Sequence, residues 1–266
     1  MSCLEEPSDR CQCSGFSVRQ SNAILYNILS RKDSDHLAHS YITSPHSCHC
    51  EMRRTVGLKN PDETCQVASG VLVKTIHFMK NLPSFYQLPL KDQLALLQSG
   101  WAPLFILGLA QEGVAFDVTD TPAASLLKRI LLKDQDQDQT RLEHSDRAQP
   151  TLDAVQKLKS CVNKFWSLDM SPKEYAYLKG AILFNPDVPG LKASLFIESM
   201  QQEAQRALRE VLLPLHPGDR GRFARILLTA SALKTITPSL ITELFFRPVI
   251  GQADLLELLA EMLFAR

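Results

Sequence analysis

The chain has 266 residues, 45% of them hydrophobic, and its 29 basic residues balance its 29 acidic residues, so its formal net charge is zero. This apolar content is ample for a core, whereas the neutral charge and the absence of long basic runs argue against non-specific nucleic-acid binding. The acidic start and the short apolar run at residues 102–110 predict neither a signal peptide nor a membrane span. Seven cysteines, an odd number, favour free thiols in a reducing compartment.

Residues 1–59 are polar and rich in Ser, His and Cys, which predicts a flexible N-terminal tail. One apolar island, AILYNILS at residues 23–30, interrupts this tail. Its apolar spacing predicts a short amphipathic helix. Such an island in a polar tail favours a partner-binding helix, and the alternative is that it packs as the first helix of the following domain.

A long helix is predicted from Asn60 to about Asn81. Asn60 is a typical N-cap residue, Pro61 suits the first helical position, and Glu63 completes a capping-box pattern. Apolar residues then continue at helical spacing, so we expect one face of this helix to be buried.

The next segments predict a central helix and a strand. Residues 90–111 are apolar on almost every side in their second half, as in a helix buried within a domain. Pro103 inside this segment predicts a kink or a break. The alternation of apolar residues in VAFDV, residues 114–118, predicts a short strand.

Helical patterns dominate the second half of the chain. A helix is predicted at about residues 123–132, followed by an Asp- and Gln-rich surface linker at residues 133–150 that we expect to be disordered. Helices continue to the C-terminus, and one long helix is predicted at about residues 221–246. The sequence therefore predicts an all-α domain over residues 60–266, with its helices stacked in layers.

Residues for catalysis or metal binding are sparse. We find no nucleophile elbow, phosphate loop, dinucleotide fingerprint or metalloprotease motif, so we predict no enzyme and no cofactor. The sequence HSCHC at residues 46–50, with CQC at residues 11–13, supports an alternative in which a helical protein binds metal or uses thiols through its tail. Cysteines spaced by one residue are poor zinc ligands, so we predict no metal. His77 is expected to pack in the core or at its boundary.

Recognition of helices is the function that the pattern favours. An amphipathic helix has one apolar ridge and unpaired backbone groups at both ends. A groove that binds it needs an acid near the helix N-terminus and a base near its C-terminus. Glu261, a lone carboxylate in the apolar sequence LLAEML at residues 258–263, and Lys80, at the end of the first long helix, are the candidates.

Three motifs carry a resemblance to a known family. The segment from Lys74 to Trp101 resembles the signature of nuclear receptor ligand-binding domains, the segment from Glu174 to Leu191 resembles a later part, and residues 258–263 resemble the activation helix. This resemblance implies a three-layer antiparallel helical sandwich with one short β-strand or hairpin. It also implies a nuclear regulator of transcription, with a further cytoplasmic location.

Four shorter motifs resemble an orphan member of this family that lacks a DNA-binding module: AILYNIL, LKRIL, FWSLDMSPKEYA and LFFRPVIG. The family's DNA-binding module has zinc-binding cysteines in CxxC pairs, whereas the cysteines before residue 66 form no such pair. The resemblance implies a corepressor that forms heterodimers with other nuclear receptors through LxxLL-like helices, competes with coactivators, recruits corepressor proteins and does not bind DNA. A strict LxxLL string at residues 255–259 is expected to pack on its own domain. A small-molecule ligand stays open.

The resemblance also implies two sets of site residues. For contact with partner receptors these are Leu25, Tyr26, Ile28, Leu29, Leu127, Ile130 and Leu131. For the last three, the alternative is that they pack in the core of their own domain. For a groove that binds cofactor peptides, with a charge clamp of Lys80 and Glu261, these are Ile76, Leu94, Leu97 and Met262 in addition to the clamp.

Overall fold

The computed structural model describes residues 54–122 and 150–265, which are mainly helical. Its strands and α-helices, in chain order, are β1 Arg54–Leu58, α1 Pro61–Lys80, α2 Pro83–Tyr86, α3 Leu90–Gln111, β2 Val118–Pro122, α4 Leu152–Ser167, α5 Pro172–Leu183, α6 Ser194–Leu215, α7 Arg222–Ser231, α8 Pro238–Ile241, α9 Arg247–Ile250 and α10 Leu255–Phe264. The predicted helical class is confirmed. The helix predicted at residues 123–132 and almost all of the linker predicted at residues 133–150 lie outside the described residues.

Helix α1 has the bounds that its start signals predicted. Pro61 occupies its first turn, and Asp62 and Glu63 lie there too, where the helix dipole favours negative charge. The predicted side-chain cap is wrong, because Asn60 makes no side-chain hydrogen bond to the helix. Its backbone carbonyl accepts a bond from the Thr64 N–H at 3.1 Å. The start of α1 therefore depends on Pro61 and on the acidic first turn.

Helix α3 runs through the centre of the domain without a break at Pro103, so a break there is excluded, whereas the alternative of a kink stays a prediction. Packing explains this, because α3 is buried along most of its length and contacts α1, α4 and α5. Gly108 permits a close approach to α1, since a Cβ atom there would lie 2.6 Å from Val71 Cγ1. Although α3 is long and apolar enough to cross a membrane, 72% of its most apolar window is buried inside the domain.

The helices form three layers around α3. Helices α3, α5 and α6 make the middle layer, in which α5 packs against both of the others. Helix α1 covers α3 from one side, and α4 covers α3 from the other. Helix α7 contacts α4 and α6, which extends this second outer layer. The arrangement confirms the predicted helical sandwich.

The two strands form a small antiparallel sheet, in which Val56 pairs with Asp120 and Leu58 with Val118. The predicted strand at residues 114–118 therefore overlaps β2 only at Val118. Val114 and Phe116 are buried in the core instead, so their alternation reports burial and not strand pairing. Because β1 precedes the predicted boundary at residue 60, the folded domain begins earlier than the sequence suggested.

The long helix predicted at residues 221–246 is divided into shorter pieces. Helix α7 ends at Ser231, a 3-10 turn covers Ala232–Thr235, and Ile236 has an extended backbone. Pro238 explains the break, because it disfavours helical backbone at the preceding residue and cannot donate a hydrogen bond. After α8, a π-helical turn at Thr242–Phe246 leads into α9.

A buried ion pair joins α5 to α7. Arg222 Nε donates to Glu174 Oε1 at 2.7 Å, and Glu174 Oε2 accepts from the Ser171 N–H at 2.7 Å. The Ser171 hydroxyl accepts from the Glu174 N–H at 3.3 Å, which completes a capping box at the start of α5. Burial alone would raise the pKa of Glu174, but the hydrogen bonds from Arg222 and Ser171, with the guanidinium charge, hold this pKa below its ordinary value.

Arg222→Ala should lower the free energy of unfolding by about 3–5 kcal/mol, because it leaves the Glu174 carboxylate buried without its partner. Urea unfolding at pH 7, followed by circular dichroism, measures this change. Arg225→Ala is the matched control on the same helix, because Arg225 pairs with Asp219 at the surface and exposed pairs contribute little. Equal losses for the two variants would contradict a special role for the buried pair.

The same ion pair predicts a pH dependence. Because the pKa of Glu174 is lowered in the folded protein, its stabilisation is complete above the unfolded carboxyl pKa of about 4.3 and is lost as the pH falls through the lower folded value. In Arg222→Ala, burial is no longer offset by the guanidinium, so the loss should move to higher pH. Unfolding curves between pH 3 and 7 test this shift.

Candidate helix-binding groove

Three helices meet where the sequence predicted a groove. Helix α1 contributes Ile76 and Lys80 from its C-terminal half, α3 contributes Leu94 and Leu97 from its first half, and α10 contacts both helices. Ile76 and Leu97 are fully covered, whereas Leu94 retains 39% of its exposure. The structure therefore brings together the three helices that carry the predicted groove residues.

Two buried polar side chains brace the α3 wall of this groove. The Asp92 carboxylate, with no exposed surface, accepts hydrogen bonds from the backbone N–H groups of Lys192 at 3.0 Å and Ala193 at 2.8 Å. The Gln93 amide donates to the Leu88 carbonyl at 2.8 Å. Neither residue was predicted from the sequence, although a polar pair at the start of an apolar helix was a visible signal.

Helix α10 lies against α1 and α3 with a single apolar stripe. The Asp254 carboxylate caps its N-terminus by accepting from the Leu256 N–H at 2.7 Å. Leu255, Leu259 and Leu263, spaced four residues apart, are 6%, 0% and 1% exposed. Met262 is half-buried and packs against the same core. The strict LxxLL string at residues 255–259 therefore packs on its own domain, as predicted.

Lys80 binds the C-terminal end of α10. Its ammonium donates to the Met262 carbonyl at 3.3 Å and to the Ala265 carbonyl at 2.7 Å. Carbonyls in the last turn of a helix have no partner within the helix, and the helix dipole there is negative. Lys80 thus donates to carbonyls at the end of a helix, but this helix belongs to the same chain and is not a bound peptide.

The position of Glu261 differs from the predicted two-ended clamp. Glu261 is exposed and lies on α10 itself, next to Met262, whose carbonyl Lys80 binds. The acid is therefore at the same end of the bound helix as the base. In this arrangement Glu261 does not cap the N-terminus of the helix that Lys80 holds.

Several predicted residues fall elsewhere. The partner-contact residues at 25–29 and 127–131, and the Cys and His residues at 11–13 and 46–50, lie outside the described residues. His77 is exposed on α1, so the prediction of a packed histidine is wrong. The sequence shows that its neighbours along the chain are apolar, but it does not show on which face of the helix the His77 side chain lies. Within residues 54–122 and 150–265, no group of three His, Cys, Asp or Glu side chains could hold a metal ion.

Aromatic side chains fill the interior beside the π-helical turn. The Phe105 ring lies 5.7 Å from that of Phe245 and 5.2 Å from that of Phe246, and the Phe116 ring lies 5.0 Å from that of Phe245, all edge to face. Such packing stabilises the core beyond simple burial.

An open cavity of about 370 Å³ lies near the surface, where the start of α1 faces α9.

A three-layer helical domain whose long α1 and α3 helices hold an amphipathic helix defines a receptor-type ligand-binding fold. Residues 53–250 match the family described as the ligand-binding domain of nuclear hormone receptor. The chain belongs to this family of nuclear receptors. The matched segment ends at residue 250 and therefore does not include α10.

Individual relatives agree with this assignment. The chain is 50% identical over 257 residues to nuclear receptor subfamily 0 group B member 2 of Homo sapiens, which covers 96% of this chain and 97% of that protein. It is 50% identical over 256 residues to the protein of the same name from Rattus norvegicus, with 96% and 97% coverage. It is 37% identical over 271 residues to nuclear receptor subfamily 0 group B member 1 of Sus scrofa, covering 96% of this chain and 57% of that protein.

Lys80→Ala should loosen the C-terminal turn of α10, because two carbonyls lose their charged donor. Removing such a bond costs about 1.5 kcal/mol, so backbone amides at residues 261–265 should exchange with deuterium about tenfold faster. Hydrogen exchange read by mass spectrometry measures this. Lys74→Ala, which removes an exposed lysine of the same helix that pairs with Glu112, should leave α10 unchanged; equal exchange in both variants would contradict the cap.

Proposed function

We propose that this protein is a nuclear transcriptional corepressor that places LxxLL-like helices into the coactivator grooves of other nuclear receptors. It competes with coactivators there, recruits corepressor proteins and does not contact DNA itself. Membership in the nuclear receptor family supports a nuclear role in transcription, and the balanced charge gives no footprint for DNA phosphates. We place the protein in the nucleus and, in part, in the cytoplasm.

The seating of α10 is the observation that carries this proposal. The string LAEML, residues 259–263, lies in a groove of this fold with Leu259 and Leu263 buried and Lys80 at its C-terminal end. The string LYNIL at residues 25–29 has the same pattern, with Leu first and last and a second large apolar residue before the last. A groove of this fold that accepts one string can accept the other.

The alignment of these strings assigns a role to each residue of the partner-binding helix. Leu25 and Leu29 correspond to the buried leucines 259 and 263 of α10, and Ile28 corresponds to Met262. Tyr26 then lies at the groove rim. In the second predicted helix, Leu127, Ile130 and Leu131 repeat the pattern. Helix-in-groove recognition of this kind depends on such anchors at i, i+3 and i+4.

The expected affinity follows from burial. Three large apolar side chains contribute about 1.5–3 kcal/mol each when they leave water, or about 5–9 kcal/mol together. Ordering a short helix and immobilising two proteins offsets part of this gain. The strongest binding that one helix can supply is therefore about 8 kcal/mol, which corresponds to a dissociation constant of about 1 µM.

Replacing Leu25 and Leu29 by Ala should abolish measurable binding to an agonist-loaded nuclear receptor domain and reduce repression in a reporter assay, because two of the three anchors are lost. Fluorescence anisotropy measures the binding. Asn27→Ala is the matched control, since Asn27 corresponds to the exposed Glu261. Unchanged binding with a lower thermal midpoint would mean that residues 25–29 form the first helix of this domain instead.

Heterodimer formation is the second part of the proposal. Leu213 and Leu215 at the end of α6 and Leu228 on α7 are 67%, 48% and 72% exposed, on two helices that contact each other. Contiguous exposed apolar side chains are typical of protein interfaces, and we propose that these three leucines belong to one. Leu228 lies within the long helix predicted at residues 221–246, and Leu213 and Leu215 lie shortly before it.

Leu228→Glu should weaken association with a related receptor domain by at least about tenfold, because a charge would replace an apolar side chain within the interface. Sedimentation velocity with equimolar partner domain measures this. Leu195→Glu, on an 81% exposed leucine at the other end of α6, controls for a general effect of lost surface hydrophobicity. A strict monomer with every partner domain would exclude this interface.

A further inference from the structure

A cluster of polar and aromatic side chains surrounds the C-terminal end of α3. The amine of Lys179, on α5, donates to Gln111 Oε1 at 2.7 Å and lies 5.9 Å from the centre of the Phe78 ring on α1. Lys74 and Glu112 add an ion pair at 2.7 Å beside it. Residues of three helices therefore meet at the half-buried Lys179.

The groups that face Lys179 differ from those around an ordinary surface lysine. Its hydrogen-bond acceptor is a neutral amide, to which both an ammonium and a neutral amine can donate. The nearby Glu112 carboxylate is already paired with Lys74, whose ammonium repels that of Lys179. Lys159, by contrast, donates directly to the Asp117 carboxylate at 2.9 Å. The contacts of Lys179 therefore hold its proton weakly.

Partial removal from water acts in the same direction, because an ammonium loses more hydration than a neutral amine. The Phe78 ring also attracts the ammonium, but at 5.9 Å this contact is near its limit of about 6 Å and is weak. Burial lowers the pKa of Lys179, the Glu112 carboxylate opposes this, and Lys74 lowers it further, so the pKa lies below its ordinary value. At neutral pH, Lys179 is therefore the free amine more often than an exposed lysine is.

We propose that Lys179 is a nucleophilic lysine and that the cluster around it is a site of acylation by small thioesters. A lysine that is partly desolvated beside another cation has the usual environment of an amine nucleophile. Thioesters of coenzyme A carry acyl groups in a form that an amine can attack.

The reaction needs no further reagent. The lone pair of Lys179 Nζ attacks the thioester carbonyl carbon, so that a C–N bond forms and the C–S bond breaks. The thiolate leaves with the electron pair of the C–S bond, and the proton that the nitrogen loses passes to it through the solvent. The products are an amide at Lys179 and a free thiol.

The fold can accept this modification. An acylated Lys179 keeps one N–H, which can still donate to Gln111 Oε1. Acylation removes the positive charge of the side chain and with it the repulsion from Lys74. Because the formal net charge of the chain is zero, acylation makes the chain net negative. The site depends on described residues alone and is independent of the proposed corepressor function.

The experiment incubates the full chain with acetyl-coenzyme A and follows acetylation of each lysine by peptide mass spectrometry. Lys173, an exposed residue of the same helix, is the internal reference. At pH 7, Lys179 should react at least about threefold faster than Lys173, because a larger fraction of it is the free amine. As the pH rises, the rate at Lys179 should level off before the rate at Lys173. In the urea-unfolded chain the two rates should be equal.

Gln111→Glu tests the neutral acceptor. A carboxylate there should hold the proton on Lys179, so that acetylation slows at least about threefold and levels off at a higher pH. Gln98→Glu is the matched control, since it adds the same charge at an exposed position of the same helix. It lies about 20 Å away along the helix axis, where salt screens its charge, and should leave the Lys179 rate unchanged. Thermal unfolding checks that both variants keep the helical domain.

Three results would overturn the proposal. In the first, Lys179 reacts no faster than Lys173 in the folded wild-type chain, so that the cluster does not activate the amine. In the second, the difference persists in urea, so that local sequence causes it. In the third, Gln111→Glu and Gln98→Glu give equal Lys179 rates, so that the neutral acceptor has no part in the activation.

Discussion

The burial of α3 is the constraint on which this structure depends. The second half of this 22-residue helix is apolar on almost every side and has to be covered there on every side. Helix α1 covers one side, α4 covers another, and α5 packs beside it in the same layer. The first half of α3 also forms a groove with α1, and α10 covers that remaining strip. The layers and the groove thus have one cause, which is the need to remove α3 from water.

Buried polar groups determine how these layers fit together. Asp92 connects the start of α3 to the backbone before α6, and the pair of Glu174 and Arg222 connects α5 to α7. Each group is costly to bury unless its partners are in place. Apolar packing tolerates small shifts, whereas these hydrogen bonds do not. Asp92 thereby fixes the start of α3, which forms one wall of the groove.

In the proposed function, a single mode of recognition applies to two leucine-rich segments of this protein. A groove of this fold selects two leucines four residues apart and a set of free carbonyls within reach of a lysine. The strings LAEML and LYNIL both meet this requirement. One is held within the chain by a four-residue connector, while the other is the segment for which we propose partner binding.

Local signals in the sequence determined the helical class, the bounds of α1 and the central place of α3, because caps, prolines and apolar spacing act within a few residues. Resemblance to the family predicted a role for Lys80 and the residues of a groove floor. The tertiary structure alone decided what Lys80 binds, since Met262 lies 182 positions away along the chain. It also decided that Asp92 meets Ala193, 101 positions away, and that β1 pairs with β2. Periodicity shows which face of an element is buried, but the surface that covers it depends on contacts between distant segments.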